Sequence, residues 1–297
     1  MTYTMKLPVP HPFSFTENLR FLSRSPEECL FHIGHDRISK LIPAGKEHIL
    51  VEISDGQDGS LLLGFPEPPH GPEPAEAVIR YIKEWFDLDT DLTPFYEMAR
   101  HDPLLHQVTD RFHGLRNIGI PDLFEALCWG IIGQQINLAF AYTLKKRFVE
   151  SFGKHRDWNG KRYWIFPTPL EVAALTPSDL TSLQMTAKKS EYLIGVATLM
   201  AEEKLSKEQL IQTGDCSAAE KMLVNIRGIG PWTANYVLMR CLRYPDAFPI
   251  ADVGLHNAIK FLLGSEHKPL IPQIRQLASE WTNWESYATF YLWRSLY

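Results

Sequence analysis

From Ala75 onward apolar residues recur at spacings of three and four, in AEAVIRYIKEWFDL, TPFYEMARHDPLLHQVTDRF, FEALCWGIIGQQINLAFAYTLKKRFVESF and SEYLIGVATLMAEEKL. That period puts them on one face of a helix and predicts an all-helical body, with TPLEV and TPSDL as cap-like helix starts. Before residue 75 the pattern changes. Between Phe13 and Leu63 the segments CLFHIG, RISKLIP, HILVEIS and SLLLGF are rich in β-formers and alternate with turn residues, DGQDG being the expected hairpin tip. The two regimes meet at GFPEPPHGPEP, residues 64–74, whose five prolines exclude helix and sheet interior alike. The predicted class is α+β: a small antiparallel β-rich N-terminal domain over residues 1–75, then a helical domain over 76–297. No repeat or low-complexity tract interrupts either part.

With 45% hydrophobic and 22% charged residues in a chain of 297, the composition is that of an ordinary globular protein. MTYTMKLPVPHPF has neither a basic nor an apolar signal region, and no 18 apolar residues run together, so a cytoplasmic protein without membrane contact is expected. Cys29, Cys128, Cys216 and Cys241 form no C-x-x-C pair, and the 11 histidines form no H-E-x-x-H, so no metal site is expected. The net charge of −5 speaks against a polyanionic partner. It is unevenly spread, however. Residues 1–100 hold 9 Lys and Arg against 16 Asp and Glu, whereas residues 101–297 hold 21 against 19. Any phosphate contact therefore falls to a local patch in the later part, with Arg227, the Lys145-Lys146-Arg147 run, Lys188 and Lys189 as candidates.

IRGIGPWTANY, residues 226–236, punctuates the helical pattern. Gly228 and Gly230 permit positive φ and close backbone approach, and Pro231 suits the first turn of the helix that follows. The turn offers backbone N–H groups and a helix start, a generic anion site, although a plain helix–helix connection needs the same residues. In AFPIADVGLHNAIKFLLG a helix breaks and restarts at Asp252, which reads both as an N-cap and as a carboxylate facing a cationic reaction centre.

LVNIRGIGPWTANYVLMR followed by FPIADVGL resembles the helix-hairpin-helix Gly/Pro-and-Asp signature of base-excision DNA glycosylases. GLRNIGIPDLFEALCWGIIGQQI, FPTPLEVAALTPSDLTSLQMTAKKSEYL and WESYATFYLWRSLY are similar to the 3-methyladenine DNA glycosylase II branch, from about residue 75 to the end. The resemblance implies two helical lobes, 113–228 and 76–112 plus 229–297, with a DNA cleft between them. Asp252 matches the catalytic aspartate, Gly228, Gly230 and Thr233 the hairpin that holds DNA backbone, and Gln134, Gln135 and Arg227 further DNA contacts. Trp232, Tyr236 and Trp293 match aromatics of the base pocket, though aromatics at helical spacing are also ordinary core. Cationic alkylated purines suit such rings. Trp232 stands where bifunctional members carry a Schiff-base lysine, and an indole forms no imine, so hydrolysis without strand cleavage is implied. Gln135 takes the place of an expected leucine wedge; it fits the gap left by a flipped base, or simply a helix–loop junction. The resemblance further implies duplex DNA as partner, no required cofactor, a monovalent cation in the hairpin, and a monomer. Uracil or oxidised bases as substrates, or a damage-binding module without chemistry, stand beside this reading.

Overall fold

The computed structural model describes residues 3–297. Strands β1 (Tyr3–Pro8), β2 (Phe31–Ile33), β3 (Arg37–Ala44), β4 (Glu47–Asp55) and β5 (Ser60–Phe65) form one antiparallel sheet in the order β1-β5-β4-β3-β2. β2 to β5 fall on the four expected segments, and DGQDG is the turn between β4 and β5, with Gln57 and Gly59 at positive φ. β1 was not expected. Its only buried side chain is Leu7, so it lacks the apolar alternation that marks a strand, and pairing with β5 from Tyr3↔Phe65 to Pro8↔Ser60 holds it instead.

Helix α1 (Phe15–Leu22) also departs from the all-strand expectation for this stretch. Its start is an S-x-x-E pair: the Ser14 hydroxyl accepts the Glu17 N–H at 3.3 Å. Phe15, Phe21 and Leu22 are then buried on one side. Helix α2 (Pro72–Phe86) begins inside the proline-rich stretch, correcting the idea that its prolines exclude helix. Pro72 and Pro74 lie in the first turn, where a missing N–H costs no intrahelical bond. Val78, Ile82, Trp85 and Phe86 of α2 are buried, each contributing about 1.5–3 kcal/mol.

The remaining helices are α3 (Thr93–His101), α4 (Leu105–Arg111), α5 (Leu123–Ile132), α6 (Leu138–Phe152), α7 (Pro169–Ala173), α8 (Pro177–Thr181), α9 (Ala187–Ala201), α10 (Lys207–Ile211), α11 (Cys216–Val224), α12 (Pro231–Val237), α13 (Val253–Leu262), α14 (Ile271–Leu277) and α15 (Glu285–Arg294). Capping boxes start α7 and α8 at Thr168 and Thr176. Every residue of α5 is buried, as its unbroken apolar run requires of a central helix. The body is not purely helical, however: β6 (Lys154–Trp158) and β7 (Lys161–Ile165) form a hairpin around Asn159-Gly160, both at positive φ. Asn-Gly is the residue pair such a two-residue turn demands. The hairpin lays Tyr163 and Ile165 on Leu41 and Leu50, covering the outer face of the sheet.

On the inner face, Ile38 and Ile42 of β3 and Val51 and Ile53 of β4 belong to one apolar core shared with α2, α5, α12 and α15. Residues 1–75 and 76–297 therefore do not have separate cores. Lys40 pairs across from Val51 on that same inner face, and is buried.

Candidate active site

α11 ends at Val224, and the chain turns through Asn225–Gly230 into α12. Ile226 N–H bonds the Leu223 carbonyl and Ile229 N–H the Ile226 carbonyl, both at 3.0 Å, which closes the turn. The two glycines have different reasons. Gly228 has φ of +95°, and a Cβ there would be driven into the Tyr192 ring. Gly230 has extended backbone with φ of −92°, so only Gly228 uses the positive φ that both glycines permit, and a Cβ at Gly230 meets nothing within 4 Å. The space beside Gly230 is open, so only an outside molecule would need its bareness.

Several expected DNA contacts are engaged within the protein. Thr233 is buried against Gly130 of α5, and its hydroxyl accepts the Gln134 amide at 3.1 Å. The same Gln134 nitrogen bonds the Gly228 carbonyl at 2.9 Å, so Gln134 clamps the hairpin to the end of α5. Lys145 is buried between Glu28 and Glu125 at 3.1 Å from each, and Lys189 is buried with its ammonium 2.7 Å from the Ile132 carbonyl. Lys146 pairs with Glu27, and Arg147 bonds Gln184. These two buried lysines are thus structural. Arg227 is exposed, ion-paired with Glu191 at 2.8 Å and poised over the Tyr192 ring. Gln135 is exposed and takes φ of +55°, a backbone strain of about 1–3 kcal/mol for a residue other than glycine.

α12 runs on into a π-helical turn, Leu238–Leu242, and the chain then returns to place Asp252 at the start of α13. Both readings of Asp252 meet here. Its Oδ1 caps α13, accepting the Leu255 N–H at 2.7 Å. The same oxygen accepts the Trp293 indole N–H at 2.7 Å, and Oδ2 accepts the Trp232 indole N–H at 2.8 Å. A carboxylate has about four acceptor positions, so one remains on Oδ2, in a half-buried group that solvent reaches. Gly254 makes the arrangement possible: a Cβ there would stand 2.8 Å from Oδ1 and 3.2 Å from the Trp293 indole. Nothing in the sequence distinguishes this glycine except its place two residues after Asp252.

Trp232 and Trp293 are half-buried, while Tyr236 is 5% exposed. Tyr236 stacks on Trp232 at 5.5 Å between ring centroids and lies 6.1 Å from Trp293. Tyr236 is thus core backing for the two indoles rather than a free ring face. His256 bonds the Ile250 carbonyl at 2.8 Å and is structural.

A hairpin between two helices, followed by a carboxylate at the next helix start and backed by a β-rich N-terminal sheet, defines a helix-hairpin-helix protein. The chain belongs to the HhH-GPD superfamily of base excision DNA repair proteins, matched over residues 128–283, and residues 31–127 match the 8-oxoguanine DNA glycosylase N-terminal domain. The two matches meet within α5, well past the proline-rich stretch. A DNA-3-methyladenine glycosylase of Bacillus subtilis is 54% identical over 291 residues, which cover 97% of this chain and 96% of that protein. Among solved structures, a 3-methyladenine DNA-glycosylase from Archaeoglobus fulgidus superposes with a TM-score of 0.79 at 22% identity, over 98% of this chain and 97% of that one. An 8-oxoguanine glycosylase/lyase of Clostridium acetobutylicum superposes with a TM-score of 0.76 at 19% identity, over 99% and 97% of the two chains. These likenesses confirm the fold; no helix is long and apolar enough to cross a membrane.

Proposed function

We propose that this protein is a monofunctional DNA glycosylase that extrudes alkylated purines such as 3-methyladenine and 7-methylguanine from duplex DNA and hydrolyses their N-glycosidic bond. The observation that carries the reading is the Asp252 carboxylate, held by two indole N–H groups and a backbone N–H with one acceptor position left. Three fixed donors aim the charge without a counter-cation. Asp252 then stabilises the oxocarbenium-like charge that grows on the sugar, and its remaining Oδ2 position orients or deprotonates the attacking water. The half-buried Trp232 and Trp293 indoles supply faces for a cationic base, each worth about 0.5–2 kcal/mol. A cationic base leaves as a neutral molecule, so no general acid is needed. Trp232 occupies the place of an amine nucleophile, and water completes the reaction, leaving an abasic site.

Duplex backbone docks at the hairpin, where the open side of Gly230 lets a phosphate approach backbone N–H groups. Arg227 can exchange Glu191 for a phosphate. Gln135, exposed on strained backbone at the tip of the α5–α6 turn, fills the gap left by the flipped base. The hairpin carbonyls of Ile226 and Gly228 each accept one hydrogen bond and keep a second lone pair, so they fit a monovalent cation that would add positive charge facing the phosphate. The enzyme would act as a monomer in the cytoplasm. A second reading, excision of uncharged oxidised or deaminated bases, draws support from Arg240, whose guanidinium donates to the Tyr236 hydroxyl at 3.0 Å.

The test is incubation with a duplex bearing one 7-methylguanine, assayed with and without hot alkali. Strand breakage only after alkali, reduced about a thousandfold in Asp252→Asn with duplex binding retained, is the expected result. Breakage without alkali overturns the hydrolytic reading, and an Asp252→Asn variant as active as wild type returns Asp252 to a mere helix cap.

A further inference from the structure

A small cavity lies between the N-terminal sheet and the helices, and six of the side chains that line it are charged: Arg24, Glu28, Lys40, Glu125, Lys145 and Arg240. Lys145 takes both carboxylates, at 3.1 Å each. Lys40 bonds the Leu30 carbonyl at 3.1 Å, and the half-buried Arg24 bonds the Phe21 carbonyl at 3.2 Å. Among the described residues, Arg24, Lys40 and Arg240 have no carboxylate within ion-pair distance. Four cations thus face two anions, and the lining carries a surplus of two positive charges.

That surplus is most costly at Arg240, which is 4% exposed. Its Nε donates to the Ile118 carbonyl at 2.6 Å and its Nη1 to the Tyr236 hydroxyl at 3.0 Å. Nη2 makes neither bond, and it is not one of the polar atoms sealed off without a partner, so a water-sized molecule reaches it. In a side chain otherwise buried, the space it meets is the cavity. The Phe21, Tyr236 and Phe290 rings lie 5.8, 5.4 and 5.4 Å from the guanidinium. Ring faces attract a cation but do not cancel its charge. Burial above all, with Arg24 and Arg243 adding to it, lowers the Arg240 pKa to about 10, so the group stays cationic at neutral pH. Arg240 also sits in the π-helical turn Leu238–Leu242, a departure from α geometry of the kind that recurs at functional sites.

The size of the cavity selects the guest. It offers about 50 Å³ to water-sized occupants, several times the roughly 10–15 Å³ that one water requires and well under the roughly 150 Å³ of a cavity that takes up benzene. A base or a sugar is therefore too large. Water fits, but it is neutral and leaves both surplus charges in place. A monatomic anion fits as well and cancels one of them.

We propose that this cavity is a binding site for a small inorganic anion of chloride size, held at the Arg240 Nη2 in the positive potential of Arg24 and Lys40. Glu28 and Glu125 share the lining, but Lys145 engages both. The three cations come from the chain after α1, from β3 and from the π-helical turn, so the ion ties the N-terminal sheet to the helical body. Through the Arg240–Tyr236 bond it also steadies the ring that backs Trp232 and Trp293. The site stands whether or not the protein excises bases.

The test follows thermal unfolding of wild type, Arg240→Met and Arg24→Met at constant ionic strength, while chloride replaces gluconate, an anion too large for the cavity. An ion bound by the folded protein alone should raise the wild-type midpoint by about 2 °C for each tenfold increase in chloride above its Kd. The rise should vanish in Arg240→Met. It should need higher chloride in Arg24→Met, which carries the test if Arg240→Met does not fold. Wild-type crystals soaked in bromide should show an anomalous peak beside the Arg240 Nη2. Equal chloride responses in all three proteins are general salt effects and overturn the proposal, as does a cavity that holds only water under bromide. A bromide peak with no chloride response in solution is binding at crystal concentration only, and overturns it too.

Discussion

Two carboxylate centres in this protein are built in opposite ways. Asp252 is half-buried and held by three neutral N–H donors, whereas Glu28 and Glu125 are held by the buried ammonium of Lys145. Neutral donors fix a carboxylate in place and leave its charge uncancelled, able to act on a cation outside. An ammonium fixes it as firmly but cancels the charge, which leaves a structural tie between the α1–β2 loop, α5 and α6. The kind of donor sets whether the charge is cancelled, and exposure sets whether it can act outward: Asp102 is also held by three neutral N–H donors, those of Leu104, Leu105 and the Trp281 indole, but it is buried, whereas solvent reaches Asp252.

Replacing Lys145 by methionine should have the largest effect, a loss of about 3–5 kcal/mol of folding stability read from the denaturant midpoint, because two buried carboxylates lose the ammonium that pairs with both. Acid sharpens this. Burial pushes the Glu28 carboxyl up, but Lys145 and the Leu30 N–H outweigh it and hold the group below its ordinary value of 4.5. In wild type that stabilisation is present above the ordinary value and is lost as pH falls through the lower folded value. The gap in stability between wild type and Lys145→Met should therefore narrow as pH drops below about 4.5.

Trp293→Phe removes one donor from Asp252 while keeping an aromatic ring. It should slow excision by about tenfold, the equivalent of roughly 1.5 kcal/mol for a hydrogen bond to a charged group, with little change in the unfolding midpoint. A stability loss as large as that of Lys145→Met would erase the distinction between the two centres. Gly254→Ala adds a methyl 2.8 Å from Oδ1, and the overpacking of about 1 kcal/mol should appear as a rate several-fold lower rather than as lost stability. Gly230→Ala touches neither centre: stability should stay within about 0.5 kcal/mol, and only duplex affinity should drop.

Much of this was legible along the chain. The glycines and proline of IRGIGPW place the hairpin, Asp252 restarts a helix, and the threonine caps of α7 and α8 fall where TPLEV and TPSDL put them. Other elements left signals that periodicity overrode. Asn159-Gly160 marks the β6–β7 hairpin, and Ser14 with Glu17 marks the start of α1, yet each sits beside a longer pattern of another period. Lys40, amid the apolar residues of RISKLIP, is a charge on what becomes the inner face of the sheet, as Glu125 is amid the apolar run of α5.

The sequence by itself determined the local elements and their punctuation, because caps, turns and apolar period act between residues a few positions apart. Only the tertiary structure decided which groups meet. Trp232 and Trp293 reach Asp252 from 20 and 41 residues away, and Lys145 reaches Glu28 across 117. Nor could sequence say that Thr233 and Lys189 turn inward while Gln135 turns out. Those choices follow from the packing of α5, α9 and α12, where a polar atom without a partner costs more than the contact it would have made with solvent.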